Sequence, residues 1–427
     1  MKKFTLNNRH GTLLKNTVML SILQWSTQLL ALLTVPYQTR ILGPEAYGIL
    51  GVTTAMMVYF QLVIDFGFLL SGTEEVANHR TDVPYLSRLL TAVTLNKLLL
   101  AVISAVVLYL LCQFVPQWQD KLGLFFLFFL ATFLNSLTPD YLYRGLEKMT
   151  AITVRTVSIR VFFSVMIFVL LRKPEDIYVI PLLNIIGNGV ASAASYWDLK
   201  KRFHISLIRV TWRDVFARMK SSAAFFLSRI ATTAYTAVNT ILLDTLTAGG
   251  AITGYYTSAD KLVIAGQNVL TPISDSLYPY MTRHRDFKMV KKILLLAMPP
   301  ITLFCTACFI WAEPVCSLLL GEEFAPAGQV LRAMLPAAVL TLPNYILSFP
   351  TLGPMGLSGW ANYSVMIGSC AHLINLVILY FTGNMNMISL AGMVSVTEAI
   401  ILIIRLVVIV KHRDKMRPLP QEENSEN

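Results

Sequence analysis

The chain has 427 residues, of which 55% are hydrophobic and 14% charged, with a formal charge of +11 and a mean hydropathy of +0.60. That balance is too apolar for a soluble two-domain protein. The apolar runs are long and continuous rather than alternating every second residue, which excludes a membrane β-barrel. At about 20 residues per crossing, the length accommodates about twelve helices. The expected fold class is an all-α polytopic membrane protein, with about twelve transmembrane helices in two six-helix lobes around a central cavity.

Taken in order, the expected spans are 14–35, 46–70, 87–111, 122–138, 152–171, 178–197, 219–245, 252–279, 290–312, 329–351, 360–381 and 388–410. The first follows Lys2, Lys3, Arg9 and Lys15 without a small-residue cleavage site, and reads as an uncleaved span. Most Lys and Arg fall in short alternate loops, so the charge reports topology rather than nucleic-acid binding. One side holds Arg80, Arg88, Arg144 and Lys148, then the run Lys200 to Lys220, then Arg283 to Lys292. The other side offers little beyond Arg40, Lys121, Arg172 and Lys173. Both termini are therefore expected in the cytoplasm, with the protein multi-pass in its membrane.

The basic stretch 198–218 interrupts the chain near its middle, with Phe203, Ile205, Leu207, Val210, Trp212 and Phe216 among its charges. It reads as an amphipathic cytoplasmic linker at the interface. It separates an N-terminal six-helix lobe, 1–197, from a C-terminal one, 219–411. Two-lobed transporters commonly hold their site between such halves. The polar tail 412–427 is expected to be disordered.

Chemistry concentrates on three helices. Within 252–280, Asp260 and Lys261 sit well inside an apolar stretch. At about 100° per residue they share one sector with Gln267, Asn268 and Asp275. An ionisable group at membrane depth costs on the order of 3 kcal/mol, so it marks a candidate site. In 219–245, Arg229, Thr232, Thr233, Thr236, Asn239, Thr240 and Asp244 form a second polar stripe. In the first span Thr17, Ser21, Gln24 and Gln28 form a third. Lipid cannot satisfy such groups, so the stripes need a shared wet interior or one another. Asp260, Asp244 and Asp275 are candidates for charge pairing or for accepting a coupling ion.

Other intramembrane ionisable residues are Asp65, Lys97, Arg155, Arg160, Glu398 and Arg405. Arg155 and Arg160 are close enough to a helix end to snorkel, and Glu398 and Arg405 to pair with each other or with neighbours. Cys305 and Cys308 have CxxC spacing without a second pair or a nearby His, so no metal site is expected. His372 reads as a packed residue. Walker, HExxH, GxSxG and GxGxxG motifs are missing, and neither enzymatic activity nor a cofactor is expected.

Four local patterns resemble the polysaccharide and O-antigen repeat-unit flippases of the multidrug/oligosaccharidyl-lipid/polysaccharide (MOP) exporter superfamily. They are PYQTRILGPEAYG at 36–48, IDFGFLLSGTEEVA at 64–77, PDYLYRGLEKM at 139–149, and GYYTSADKLV running on to PISDSLYPYM. The resemblance implies a twelve-helix, two-lobed flippase with a cationic cavity and alternating access. Its substrate would be an undecaprenyl-diphosphate-linked oligosaccharide, and a polysaccharide polymerase and chain-length regulator would be its partners alongside membrane lipids. Arg229 and Lys261 would attract the diphosphate or an acidic sugar, and Asn239, Gln267, Asn268, Gln24 and Gln28 would bond sugar hydroxyls. Glu75 departs from the pattern, since a basic residue is expected there. A multidrug exporter of the same superfamily is the alternative. Peptidoglycan-precursor flippases typically have two further helices, for which this chain has no room.

Overall fold

The computed structural model describes residues 2–233, 237–247 and 249–416, apart from the side chains of 2–18, 20–24, 27–28, 31, 228 and 231–233. Among the described residues the structure is helical, without strands. The first helices are α1 (Lys2–Asp65), α2 (Phe68–Asn78), α3 (Val83–Phe114), α4 (Pro116–Gln119), α5 (Leu122–Leu137) and α6 (Asp140–Gly145). Then follow α7 (Met149–Leu170), α8 (Val179–Phe203), α9 (Trp212–Thr233), α10 (Val238–Leu246) and α11 (Ala251–His284). The last are α12 (Phe287–Ile310), α13 (Ala312–Leu320), α14 (Ala327–Leu347), α15 (Phe349–Leu352), α16 (Ser358–Phe381) and α17 (Met387–Lys411).

Nine helical stretches among the described residues are long and apolar enough to cross a membrane, and each overlaps an expected span. The expected spans at 219–245 and 252–279 are not among the nine, because their polar stripes dilute the apolar content. Even so, α11 has 34 residues, or about 51 Å of helix. The expected span 14–35 lies mostly outside the described side chains.

Three boundaries differ from expectation. The joint between the first two spans shrinks to one non-helical residue, Gly43, at φ 70° and ψ 173°. Glycine tolerates that conformation, and Pro44 disfavours a helical residue before it while starting the next helix well. The expected span 219–245 is divided into α9 and α10. The linker is also shorter, because α8 continues to Phe203 and α9 starts at Trp212.

Packing groups Met1–Gly254 in one unit and Tyr255–Asn427 in a second. In the first, α1 and α7 run parallel: Thr153 Oγ1 donates to the Met19 carbonyl at 3.0 Å, and Tyr37 Oη to that of Leu171 at 2.7 Å. The buried Lys97 of α3 meets Asp65 of α1 at 3.2 Å and donates to the Ser136 carbonyl of α5. Helix α9 is held against α2 and α3. Ser71 and Ser222 hydroxyls lie 2.6 Å apart, and the rings of Phe66 and Phe226 stack at 4.2 Å. Arg218 donates to Glu75 and, at 3.0 Å, to Tyr85 Oη. Glu75, the departure from the family pattern, is thus a counter-ion of the first unit.

In the second unit α14 packs along α17. Arg405 of α17 is buried and donates to the Asn344 carbonyl at 2.6 Å and to Ser364 Oγ at 2.9 Å. Asn344 in turn donates to Glu398 Oε2 at 2.7 Å. Glu398 and Arg405 therefore both engage Asn344 of the neighbouring helix. His372 is fully buried with Nδ1 2.7 Å from Thr397 Oγ1, a packed residue as expected.

Close backbone approach joins α1 to the start of α11. A Cβ on Gly254 would fall 2.0 Å from the Pro44 carbonyl oxygen, and one on Gly48 would fall 2.3 Å from that of Gly250. Gly266, by contrast, has nothing within 4 Å of such a Cβ. Gly254→Ala should cost about 1–3 kcal/mol through overpacking, and Gly266→Ala should cost nothing. Thermal unfolding of the two variants in detergent checks the contrast.

Candidate functional site

In the first unit, α5, α6, α7 and α8 line a partly open cavity of about 490 Å³. Helix α7 contributes Ile152, Arg155, Thr156, Ile159, Arg160 and Phe163, which recur at three- and four-residue steps and so occupy one face. Helix α8 contributes Asn184, Asn188 and Ala191 at the same spacing. Asn135 and Thr138 come from the end of α5, and Asp140 and Arg144 from α6.

The lining carries three guanidinium groups and one carboxylate. Arg155 answers that carboxylate: it pairs with Asp140 and donates to Ser195 Oγ at 2.6 Å. Its guanidinium also lies 5.9 Å from the ring centre of Tyr143. Tyr143 is held in turn by Asp198, at 3.0 Å from its hydroxyl. Arg144 and Arg160 make no ion pair among the described residues, and the buried Nε of Arg144 has no hydrogen-bond partner there. The cavity thus holds two surplus positive charges. Asn184 and Asn188 each donate an amide N–H to a carbonyl, of Ile180 and Ala131, at 3.0 Å. Their side-chain oxygens remain as acceptors for hydroxyl groups. Fixed cations beside amide acceptors and a few apolar walls suit a solute that is both anionic and hydroxylated.

The expected site residues are distributed differently. Arg229, Asn239 and Asp244 belong to the first unit. Arg229 is half-buried on α9, and Asn239 and Asp244 are buried on α10. Asp244 accepts from Trp118 Nε1 at 2.8 Å and from Gln117 at 3.4 Å, so two N–H donors already occupy its carboxylate. Asp260, Lys261, Gln267 and Asn268 are half-buried on α11 of the second unit, and Asp275 is exposed there. The side chains of Gln24, Gln28, Thr232 and Thr233, and the whole of Thr236, lie outside the described residues.

Arg155 and Arg160, read from sequence as snorkelling residues, line the cavity instead. A helix end and a cavity wall place the same demand on an Arg, namely access to water, and only packing separates the two. The signal available in the sequence was the shared face of Arg155, Thr156 and Arg160, matched by Asn184 and Asn188 on the next helix.

Helices of membrane-crossing length beside a polar, cation-rich cavity define a multi-pass membrane protein. Solved structures share this fold. The lipid II flippase MurJ, in an inward closed conformation, superposes with a TM-score of 0.71 at 14% identity, over 93% of this chain and 90% of that one. An inward-facing multidrug resistance MATE transporter of the MOP superfamily gives a TM-score of 0.62 at 14% identity, over 94% and 98% of the two chains. Residues 13–285 match the polysaccharide biosynthesis protein family, and the chain belongs to that family. It is 26% identical over 380 residues to a protein of Shigella dysenteriae named as an O-antigen transporter, covering 88% of this chain and 95% of that one. A protein of Escherichia coli K12 with the same name is 26% identical over 291 residues, covering 68% and 70%.

The two classes of cavity arginine should separate by stability. Arg155→Met strands Asp140 and should cost on the order of 2 kcal/mol, between the values for exposed and buried pairs. Adding Asp140→Asn should recover part of that loss. Arg160→Met should leave thermal unfolding in detergent unchanged or slightly improved.

Proposed function

We propose that the protein is a flippase for a lipid-linked oligosaccharide, carried as its undecaprenyl diphosphate from the cytoplasmic to the periplasmic leaflet of a bacterial inner membrane. The observation that carries this reading is the surplus of two guanidinium groups beside amide acceptors in the first-unit cavity. Its relatives' names for O-antigen transport and its likeness in fold to a lipid II flippase agree with it. A bare diphosphate in hydrocarbon costs tens of kcal/mol in a Born estimate. Guanidinium groups replace water around phosphate oxygens through paired N–H donors, and asparagine oxygens accept from sugar hydroxyls. The polyprenyl tail stays in lipid throughout.

In this reading the termini are cytoplasmic, and 1–197 and 219–411, joined by the linker 198–218, are the lobes that alternate access, although α9 and α10 pack with the first unit. Arg229 and Lys261 also attract the head group, and Asn239, Gln267, Asn268, Gln24 and Gln28 bond the sugars. Outward movement of an anion is favoured by an inside-negative potential, by about 2.3 kcal/mol per charge per 100 mV. If an ion is coupled to transport, Asp260 and Asp275 are its candidate acceptors, and the donors around Asp244 favour a structural role for that carboxylate. A polymerase and a chain-length regulator would receive the product.

The combined variant Arg144→Gln, Arg160→Gln should reduce surface polysaccharide about tenfold or more, the value of a charge-assisted contact, with protein still present in the membrane. Arg229→Ala and Lys261→Ala should do the same. Gel analysis of surface polysaccharide in a strain lacking the native protein reads this out. Normal polymer from all of these variants would refute the assignment, and drug resistance without a polysaccharide defect would favour a multidrug exporter.

A further inference from the structure

Between α8 and α9 the chain runs along α3, not away from it. Ser206 N–H donates to Ser87 Oγ at 3.3 Å and Ile208 N–H to Thr91 Oγ1 at 3.0 Å, while Asn96 Nδ2 donates to the Val215 carbonyl at 2.9 Å. These contacts advance from residue 87 to residue 96 of α3, about 13 Å along its axis. Leu199, Ile205 and Val215 are buried beneath the segment and fix which side faces out.

The level of this segment follows from α3 itself. Large exposed apolar side chains on α3 begin at Leu98 and continue through Val102, Val106 and Leu110 to Phe114. Inward of Leu98, residues 89–97 are all covered or half-covered. The segment therefore sits beside the end of α3 just below its lipid-facing belt, where head groups lie.

What it presents there is mixed in character. Trp197, Leu207, Trp212 and Phe216 are each more than half exposed, at 63%, 55%, 65% and 55%. Lys200, Lys201, Arg202, Arg209 and Arg213 are exposed among them, with Lys201 Nζ 4.7 Å from the Trp197 ring centre. The two acids nearby are occupied. Asp198 is engaged by the Tyr143 hydroxyl and by Arg202 at 3.6 Å. Asp214 accepts from the Thr211 hydroxyl at 2.7 Å and from the Thr211 N–H at 3.1 Å. Lys200, Arg209 and Arg213 make no ion pair among the described residues. Aromatic rings at head-group depth with cations between them match phosphate head groups above acyl chains better than a nucleic acid or an acidic peptide.

We infer that this collar, from Trp197 to Phe216, is a binding surface for anionic glycerophospholipid. It acts as a fixed rail at the membrane surface, distinct from the substrate cavity, and only the choice of the cytoplasmic leaflet rests on the topology proposed above.

The test is a full-length chain that keeps Trp212 and carries Phe at Trp25, Trp118, Trp197, Trp311 and Trp360. It is reconstituted in phosphatidylcholine vesicles containing an equal fraction of either brominated phosphatidylglycerol or brominated phosphatidylcholine. Trp212 should be quenched about fivefold more effectively by the anionic lipid, the effect of about one basic residue at the surface. High salt should remove that preference, as should replacing Lys200, Lys201, Arg202, Arg209 and Arg213 by Gln. Equal quenching by the two lipids, or a preference that survives the five substitutions, would overturn the inference. So would loss of the preference on adding undecaprenyl diphosphate far below the phosphatidylglycerol concentration, which would assign the collar to the substrate. Should the single-tryptophan chain fail to fold, native mass spectrometry of the unsubstituted chain and its five-Gln variant decides. Phosphatidylglycerol should be retained by the first and lost from the second, and equal retention would overturn the inference. None of these outcomes bears on the polysaccharide phenotype of the Arg144 and Arg160 variants.

Discussion

A polar group inside a bilayer has no water to turn to, and this single constraint organises the described structure. Lys97 finds Asp65 and the Ser136 carbonyl, tying α1, α3 and α5 together. Arg405 finds Asn344, Ser364 and Ala361, and so pins α17 to α14 and α16. Asp244 finds Trp118 and Gln117. Each of these is a fastening between helices that apolar side chains alone would leave free to slide, because lipid competes equally well for apolar contact.

The exceptions are what the proposed function rests on. Arg144 and Arg160 stand in the same unit as Lys97 and Asp244, yet among the described residues no carboxylate answers them. Arg155, on the same face of α7, is answered by Asp140 and braced by Ser195 and Tyr143. A paired cation holds the wall, and two unpaired ones give it a potential. In a cavity of about 490 Å³, with low-dielectric walls, that potential is screened less than at an open surface. Such a potential favours an anion over a cation. The same logic explains Glu75, whose partner is Arg218 of α9 rather than a substrate phosphate.

Glycine and proline set the approach distances that make these fastenings reachable. Gly43 and Pro44 turn α1 within one residue, and Gly48 and Gly254 let backbone meet backbone where a methyl group would collide. Polar residues along α3 do a parallel service for the linker. Ser87 and Thr91 take up backbone N–H groups that an irregular segment would otherwise leave unsatisfied, Asn96 bonds a carbonyl in the first turn of α9, and this lets a connection lie beside a membrane helix.

Sequence by itself determined the class of molecule, the apolar spans and their order, because hydropathy over some twenty residues is a local property that packing hardly alters. It also determined that the helices at 219–245 and 252–279 are unusual, since polar stripes at helical spacing need no tertiary contact to be seen. Motifs such as PYQTRILGPEAYG pointed to the family. What only the tertiary structure decided was which charges are spent. Arg155, Arg160, Lys97 and Arg405 are alike in sequence, each a cation within an apolar helix. Their partners lie 15 residues away for Arg155, 32 for Lys97 and 61 for the Asn344 carbonyl that Arg405 binds, and Arg160 has none among the described residues. Pairing across such separations depends on which helix faces meet, and hydropathy does not carry that information.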